Sequence, residues 1–130
     1  MNLHGSCLCG AISYAITQLD GAIEHCHCRT CRKANASPFT STARVAREHF
    51  RWLRGEDLLG SYESSPGKNR RFCSRCGSHI VAERAGQPHV ILRVATLDDD
   101  PDIRPVMHIW TSHHVAWLAV ADIPHFAETP

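Results

Sequence analysis

The sequence predicts a mainly β domain, and three observations carry that expectation. Short apolar or β-branched runs recur along the chain, parted by clusters of Gly, Pro, Ser and Asp. The length, 130 residues, suits one domain around one core, and no linker, repeat or low-complexity segment divides it. Seven cysteines fall in spaced groups, a pattern that can tie distant parts of a small chain together. Residues 1–130 are therefore read as a single domain.

The elements follow in chain order. "AISYAIT" (11–17) alternates as a strand does after Gly10. "GAIEHCH" (21–27) reads as a short strand running into a cysteine-rich loop, and "CRTCRKANAS" (28–37) holds a helical turn that stops before Pro38. "PFTSTARV" (38–45) is β-like, and "AREHF" (46–50) is one helical turn. "FRWLRG" (50–55) alternates and ends on a turn residue; "LLGSYES" (58–64) is a further strand, and "SPGKN" (65–69) is a turn. "RRFC" (70–73) leads into "CSRCGS", after which "HIVAERA" (79–85), "HVILRVATL" (89–97) and "MHIWTSHHVAWLAV" (107–120) read as strands. "DDDPD" (98–102) is expected as a solvated turn, its carboxylates being hard ligands that compete poorly with thiols for a soft metal.

Composition narrows the function classes. Hydrophobic residues at 43% and charged residues at 21% are the balance of a soluble globular protein. A net charge of +1 argues against a general polyanion binder. The basic run "KNRR" (68–71) lacks an interleaved aromatic stacking platform, so nucleic acid is not an expected partner. "MNLHGSCLCG" shows no signal-peptide pattern, and "VAWLAVA" (115–121) is far short of the ~20 residues that cross a bilayer. A cytoplasmic protein without a membrane partner is expected. No oligomeric state is read from the sequence.

Cysteine carries the chemistry. An odd number cannot all pair as disulfides, and clustered thiols in a reducing compartment more often bind metal. The groups are Cys7 and Cys9; Cys26, Cys28 and Cys31; Cys73 and Cys76. On an extended strand, residues i and i+2 point the same way, so C-x-C presents two thiolates from one face. Gly10 and Gly77, each following a cysteine, permit the tight turns such knuckles favour. The two pairs together make a four-cysteine structural site. The triplet then stands alone, and three thiolates with an open fourth position match a catalytic site. Two alternatives stay open: a closed site completed by His25, His27 or a distant histidine, and one cluster sharing all seven sulfurs.

Three thiolates around Zn2+ leave a single net negative charge, which should weaken the activation of bound water that three neutral histidines achieve. Soft donors suit a metal that exchanges one sulfur ligand for another. An incoming thiol held as thiolate is a nucleophile, so an electrophile brought to it would give carbon–sulfur bond formation, or cleavage in reverse.

Other residues are weighed against ordinary structural roles. His108 is either a proton shuttle at the open position or a hydrogen-bonded strand histidine. His113 and His114 would face opposite ways on a strand, and His25 and His27 would face away from Cys26. Trp52, Trp110 and Trp117 are core residues or a substrate wall. Arg29, Arg32 and Lys33 are candidate anchors for substrate carboxylates, or solvated charges offsetting an anionic centre; Arg70 and Arg71 share that ambiguity.

The blocks "GSCLCGAISY", "CHCRTCRKANASPF", "RRFCSRCGSHI", "VATLDDD" and "HIWTSHHVAW", in this order, resemble the glutathione-dependent formaldehyde-activating enzyme family, which includes the centromere protein V relatives. The resemblance runs from about His4 to Phe126, the expected core of the domain. It implies a β-tent fold of small antiparallel sheets stapled by zinc, with two zinc ions per chain. The structural zinc would fall on Cys7, Cys9, Cys73 and Cys76, and the catalytic zinc on Cys26, Cys28 and Cys31. The implied partner is a glutathione-like thiol, and the implied reaction is its addition to formaldehyde, a carbon–sulfur lyase reaction in reverse. The chain departs from the family in "SHHVAW", where Ala116 stands at a usual proline. The competing function is a non-catalytic zinc domain or a thiol or zinc sensor in which both metal sites are structural.

Overall fold

The protein is described by a computed structural model that covers residues 2–118, 123–124 and 126–129. Among the described residues, two sheets and one α-helix make up the architecture. The smaller sheet holds β1 (Leu3–Ser6), β2 (Ser13–Ile16) and β5 (Phe50–Arg54) in the order β1-β2-β5, all antiparallel. The larger holds β3 (Glu24–Cys26), β4 (Thr40–Ala46), β6 (Leu59–Ser65), β7 (Lys68–Cys73), β8 (His79–Arg84), β9 (His89–Arg93) and β10 (Met107–Ile109). Its order is β10-β3-β4-β9-β8-β7-β6, antiparallel except that β10 runs parallel to β3. Helix α1 (Arg29–Asn35) links β3 to β4. No helix among the described residues is long and apolar enough to cross a membrane.

The sheets pack through one apolar cluster. Ile12, Tyr14 and Ile16 from the small sheet's side meet Val45, Val81, Val90 and Leu92 of the large sheet. Alternation explains the register: inward Val90 and Leu92 of β9 leave Ile91 and Arg93 on the other face. Each large apolar side chain buried this way contributes about 1.5–3 kcal/mol. Tyr14 sits at the centre, stacked on Phe50 at 5.2 Å and edge-on to Trp52 at 6.3 Å. Its hydroxyl is paired with Thr96 Oγ1 at 2.6 Å, so the buried oxygen is not orphaned. Gly5 lies under the Tyr14 ring, and a Cβ there would drive into it.

Several segments differ from the sequence expectation. No strand was expected before Gly10, yet β1 forms because β2 and the acidic segment after β9 hold it. His4 N donates to Asp99 Oδ2 at 2.7 Å, Ser6 Oγ donates to Asp98 Oδ2 at 2.9 Å, and Asp98 N donates to His4 O at 2.8 Å. Part of "DDDPD" thus closes the fold rather than only facing water. "HVILRVATL" is strand only to Arg93, then turns as a 3-10 segment over Val94–Thr96. Among the described residues of "MHIWTSHHVAWLAV", only Met107–Ile109 is strand; Trp110 takes a left-handed backbone (φ 57°) that breaks the extended run before a 3-10 turn over Thr111–His113. Ala119 and Val120 at its end lie outside the described residues, as do Met1, Ala121, Asp122, His125 and Pro130.

Candidate metal centres

Two groups of thiols converge, and each could hold a metal ion. Cys7 and Cys9 occupy the turn between β1 and β2; Cys73 ends β7, and Cys76 lies in the turn before β8. Gly10 N donates to Cys7 O at 3.0 Å with φ +79°, and Gly77 N donates to Cys73 O at 2.8 Å with φ +81°. Both turns need the left-handed backbone that glycine adopts freely. The four sulfurs lie within 4.8 Å of one another, with Cys7–Cys9 at 3.6 Å and Cys9–Cys73 at 3.8 Å. A tetrahedral zinc with bonds of about 2.3 Å would set its sulfurs about 3.8 Å apart, so the spacing fits.

Backbone N–H groups already point at these sulfurs, Ile12 N at Cys7 (3.3 Å) and Arg75 N at Cys73 (3.4 Å). Hydrogen bonds from the Ser78 hydroxyl and backbone pull the Cys76 thiol down to about 5. Cys9 is pushed up to about 11: the backbone at Ala11 favours its thiolate, but burial and the neighbouring thiols outweigh that. Four sulfurs this close cannot all ionise alone, and a divalent cation among them removes the conflict.

The triplet is built differently. Cys26 ends β3, and Cys28 caps α1, its sulfur accepting from Cys31 N at 3.2 Å. One helical turn then brings Cys31 back beside the other two; Ala36 in the left-handed region ends the helix ahead of Pro38. The three sulfurs lie within 4.8 Å of one another, and among the described residues no fourth His, Cys, Asp or Glu atom joins them. Cys31 is pulled down to about 4, first by its hydrogen bond with Cys26, then by Cys28, Arg70 and Arg93, against an opposing push from burial. Cys26 is raised, first by that same contact with Cys31 and then by burial.

Arg70 is buried, with Nη1 and Nη2 at 4.0 and 3.9 Å from Cys31 Sγ and Nε donating to Ser64 Oγ at 2.9 Å. Arg93 is also buried, its pKa lowered to about 10, first by burial and then by Arg70, with the three thiols pulling the other way. Burial likewise lowers the Lys68 ammonium. A cavity of about 480 Å³ runs beside the triplet, lined in part by Cys26, Cys28, Cys31, Lys68, Arg93 and Trp110.

Of the cations expected near the triplet, Arg29 borders a smaller cavity with Cys28 and Trp110. Lys33 faces the outer side of α1, and Arg32 is half-buried; neither lines the triplet's main cavity. The cations that do line it are Arg44, Lys68 and Arg93, which the sequence reading did not single out. Two signals mark two of them: Lys68 shares one strand face with Arg70 at i and i+2, and Arg93 interrupts the apolar run "HVILRV". His108 sits across the sheet from the cavity. It pairs in register with His25, and its Nδ1 lies 2.8 Å from His27 Nε2, whereas its neighbours Ile109 and Trp110 line the cavity. His25 in turn meets Ser41 Oγ at 2.9 Å. These histidines form a cluster of their own and do not complete the triplet.

The fold and its two thiol groups define a cysteine-rich, mainly β domain with two candidate metal centres. Residues 2–113 match the family described as glutathione-dependent formaldehyde-activating enzyme, and the chain belongs to that family. It is similar to an uncharacterized lyase of Schizosaccharomyces pombe, 32% identical over 76 residues, which cover 58% of this chain and 53% of the relative. The match thus spans about half the length of that protein. A Halomonas elongata protein, provisionally named a glutathione-dependent formaldehyde-activating enzyme, is 25% identical over 129 residues, covering 92% of this chain and 82% of its own. The crystal structure of a Rhodobacter sphaeroides protein superposes with a TM-score of 0.65 at 25% identity, covering 81% of this chain and 98% of that one.

Proposed function

We propose that the protein is a zinc-dependent enzyme of the carbon–sulfur lyase type, adding a glutathione-like thiol to formaldehyde or another small aldehyde, or catalysing the reverse. The observation that carries this reading is the charge around the triplet. A zinc ion with three thiolates has one net negative charge, and the buried guanidiniums of Arg70 and Arg93 supply two positive ones. One further anion balances the set. An incoming thiolate supplies that charge; neutral water does not, and buried charge is costly unless balanced.

In this reading Cys7, Cys9, Cys73 and Cys76 hold a structural zinc that staples β1 and β2 to β7 and β8. Cys26, Cys28 and Cys31 hold the second zinc, which when bound supplies a soft position that keeps an incoming sulfur in its nucleophilic thiolate form. Hydrogen bonds from Cys26 and Cys28 favour the Cys31 thiolate, and Arg70, which lies against it, adds its charge to them. Arg44 and Lys68 offer charge to the substrate's carboxylates, and Arg29, beside Cys28, extends that path. Lys33 is assigned to the helix surface, half-buried Arg32 to a place outside the cavity, and His108 to the histidine cluster with His27. Trp110 walls one side of the cavity and limits water around the reacting atoms.

The test pairs metal content with activity. Cys28→Ser should lose one zinc, keep its thermal transition and lose catalysis of formaldehyde–glutathione exchange measured by NMR. Cys76→Ser should lose the other zinc and most of its stability. If both variants unfold alike, the triplet is structural and the enzyme reading fails.

A further inference from the structure

We propose that Arg93 is a catalytic residue of this cavity, its Nε–H and Nη2–H edge receiving the aldehyde oxygen as the thiol adds to carbon. The proposal rests on the thiol-adding reading above and names a group that the cysteine pattern does not supply.

Arg93 ends β9 and is only 5% exposed. Its Nη1 makes one long bond to Ile91 O at 3.4 Å, while Nε and Nη2 are buried without a partner among the described residues. Leaving a buried donor unpaired is costly, so two on one guanidinium point to a ligand that completes them. Nε and Nη2 form the side of the fork that grips an anionic oxygen through two parallel bonds. Arg70 cannot play this part, because its Nε is committed to Ser64 and both Nη atoms face Cys31. Arg93 also borders a second cavity, with Ser37, Thr40 and Ser41, whose hydroxyls already bond Phe39 O, Cys31 O and His25.

Two anionic oxygens arise when an acidic thiol meets an aldehyde: a remote carboxylate, and the alkoxide formed at the reacting carbon. Position favours the alkoxide. Arg93 lines the same cavity as all three sulfurs and lies close enough for each thiol to act on its charge. In an S–C–O unit the oxygen is two bonds from sulfur, so a group near the sulfurs meets it, while a carboxylate several bonds away reaches Arg44 or Lys68. The step balances without an oxidant or reductant. A sulfur lone pair forms the C–S bond, the carbonyl π pair passes to oxygen, and the alkoxide takes a proton from water in place of the one the thiol released to water. A fixed cationic donor where that charge develops is the kind of group whose loss lowers kcat by about 10²- to 10³-fold.

The test uses the full chain loaded with cobalt, whose thiolate absorption reports an incoming sulfur directly. Thioacetate carries a carbonyl oxygen with part of the anion's charge two bonds from its sulfur; ethanethiol has the sulfur alone. Arg93→Gln should bind ethanethiol within about threefold of the parent and thioacetate about 10- to 100-fold more weakly. Exchange of formaldehyde with 2-mercaptoethanol, which has no carboxylate, should lose kcat with KM little changed. An unchanged affinity for thioacetate, an equal loss for both ligands, or an activity loss confined to carboxylate-bearing thiols overturns the proposal. If Arg93→Gln does not fold, Arg93→Lys decides: it keeps the charge but not the fork, so an undiminished preference for thioacetate overturns the proposal. Absence of any absorption change with either ligand in the parent protein removes the thiol reading itself. Thiol binding that is indifferent to Arg93 removes this inference alone.

Discussion

Replacing Arg70 with methionine deletes a buried positive charge while keeping much of its aliphatic stem. Its guanidinium nitrogens lie 3.9 and 4.0 Å from Cys31 Sγ. Two unit charges about 4 Å apart interact by about 4 kcal/mol at an effective dielectric near 20. Relaxation and the remaining charge of Arg93 reduce the net effect to about 2–3 kcal/mol, or about 30- to 150-fold in affinity. Metal in the triplet should therefore bind that much more weakly in Arg70→Met, while the four-cysteine site keeps its affinity. The metal-free protein should also lose stability, since the variant removes one partner of a buried contact and leaves Cys31 without it. Competition against a chromophoric chelator separates the two sites as two release phases. Arg70→Lys should fall between parent and methionine variant. Two unchanged release phases, or weaker binding at the four-cysteine site instead, would refute the charge argument.

Three further outcomes follow from particular contacts. Burial pushes the Asp20 carboxyl up, but hydrogen bonds from His49, Ala46 N and Gln18 outweigh it and leave its pKa lowered. Its stabilisation is present above the ordinary aspartate value of about 3.9 and is lost as pH falls through the lower folded value. Asp20→Asn should cost about 1 kcal/mol at pH 6, a gap that chemical denaturation finds closed near pH 2. Gly77→Ala meets open space at φ +81° and should cost about 1–2 kcal/mol, whereas a Cβ at Gly55, φ +76°, drives into Ala11 O and should cost clearly more; equal thermal shifts would contradict this. Trp110, 58% exposed and lining the triplet's cavity, should change its emission when glutathione binds, a signal lost in Trp110→Phe.

Much of the candidate site is local, and local features are what a sequence displays. C-x-C and C-x2-C spacings, with Gly10 and Gly77 behind them, describe turns of a few residues that do not depend on the rest of the fold. The helix over Arg29–Asn35 is legible for the same reason, since Pro38 marks its limit. What the residues do not show is which strands become neighbours. β10 lies beside β3 although about eighty residues separate them, and that pairing decides that Ile109 faces the cavity while His108 meets His27. Lys68, in a stretch read as a turn, is the first residue of β7, and only the sheet order sets it and Arg93 around one cavity. β1 escaped notice because "LHGS" has little β pattern; it is held by Tyr14 over Gly5 and by the carboxylates of Asp98 and Asp99.

The wide separation of Cys9 from Cys73 bears on how the protein is made. A chain leaving the ribosome displays five thiols, Cys7 through Cys31, well before Cys73 and Cys76 have been synthesised. Any four of those five could satisfy a tetrahedral ion, so metal captured during translation can lock the amino-terminal pair onto the wrong partners. If metal fills the four-cysteine site, correct assembly would favour late loading, after β7 and β8 have delivered the second pair, and a scarce supply of free metal ions during synthesis would protect the yield of native protein.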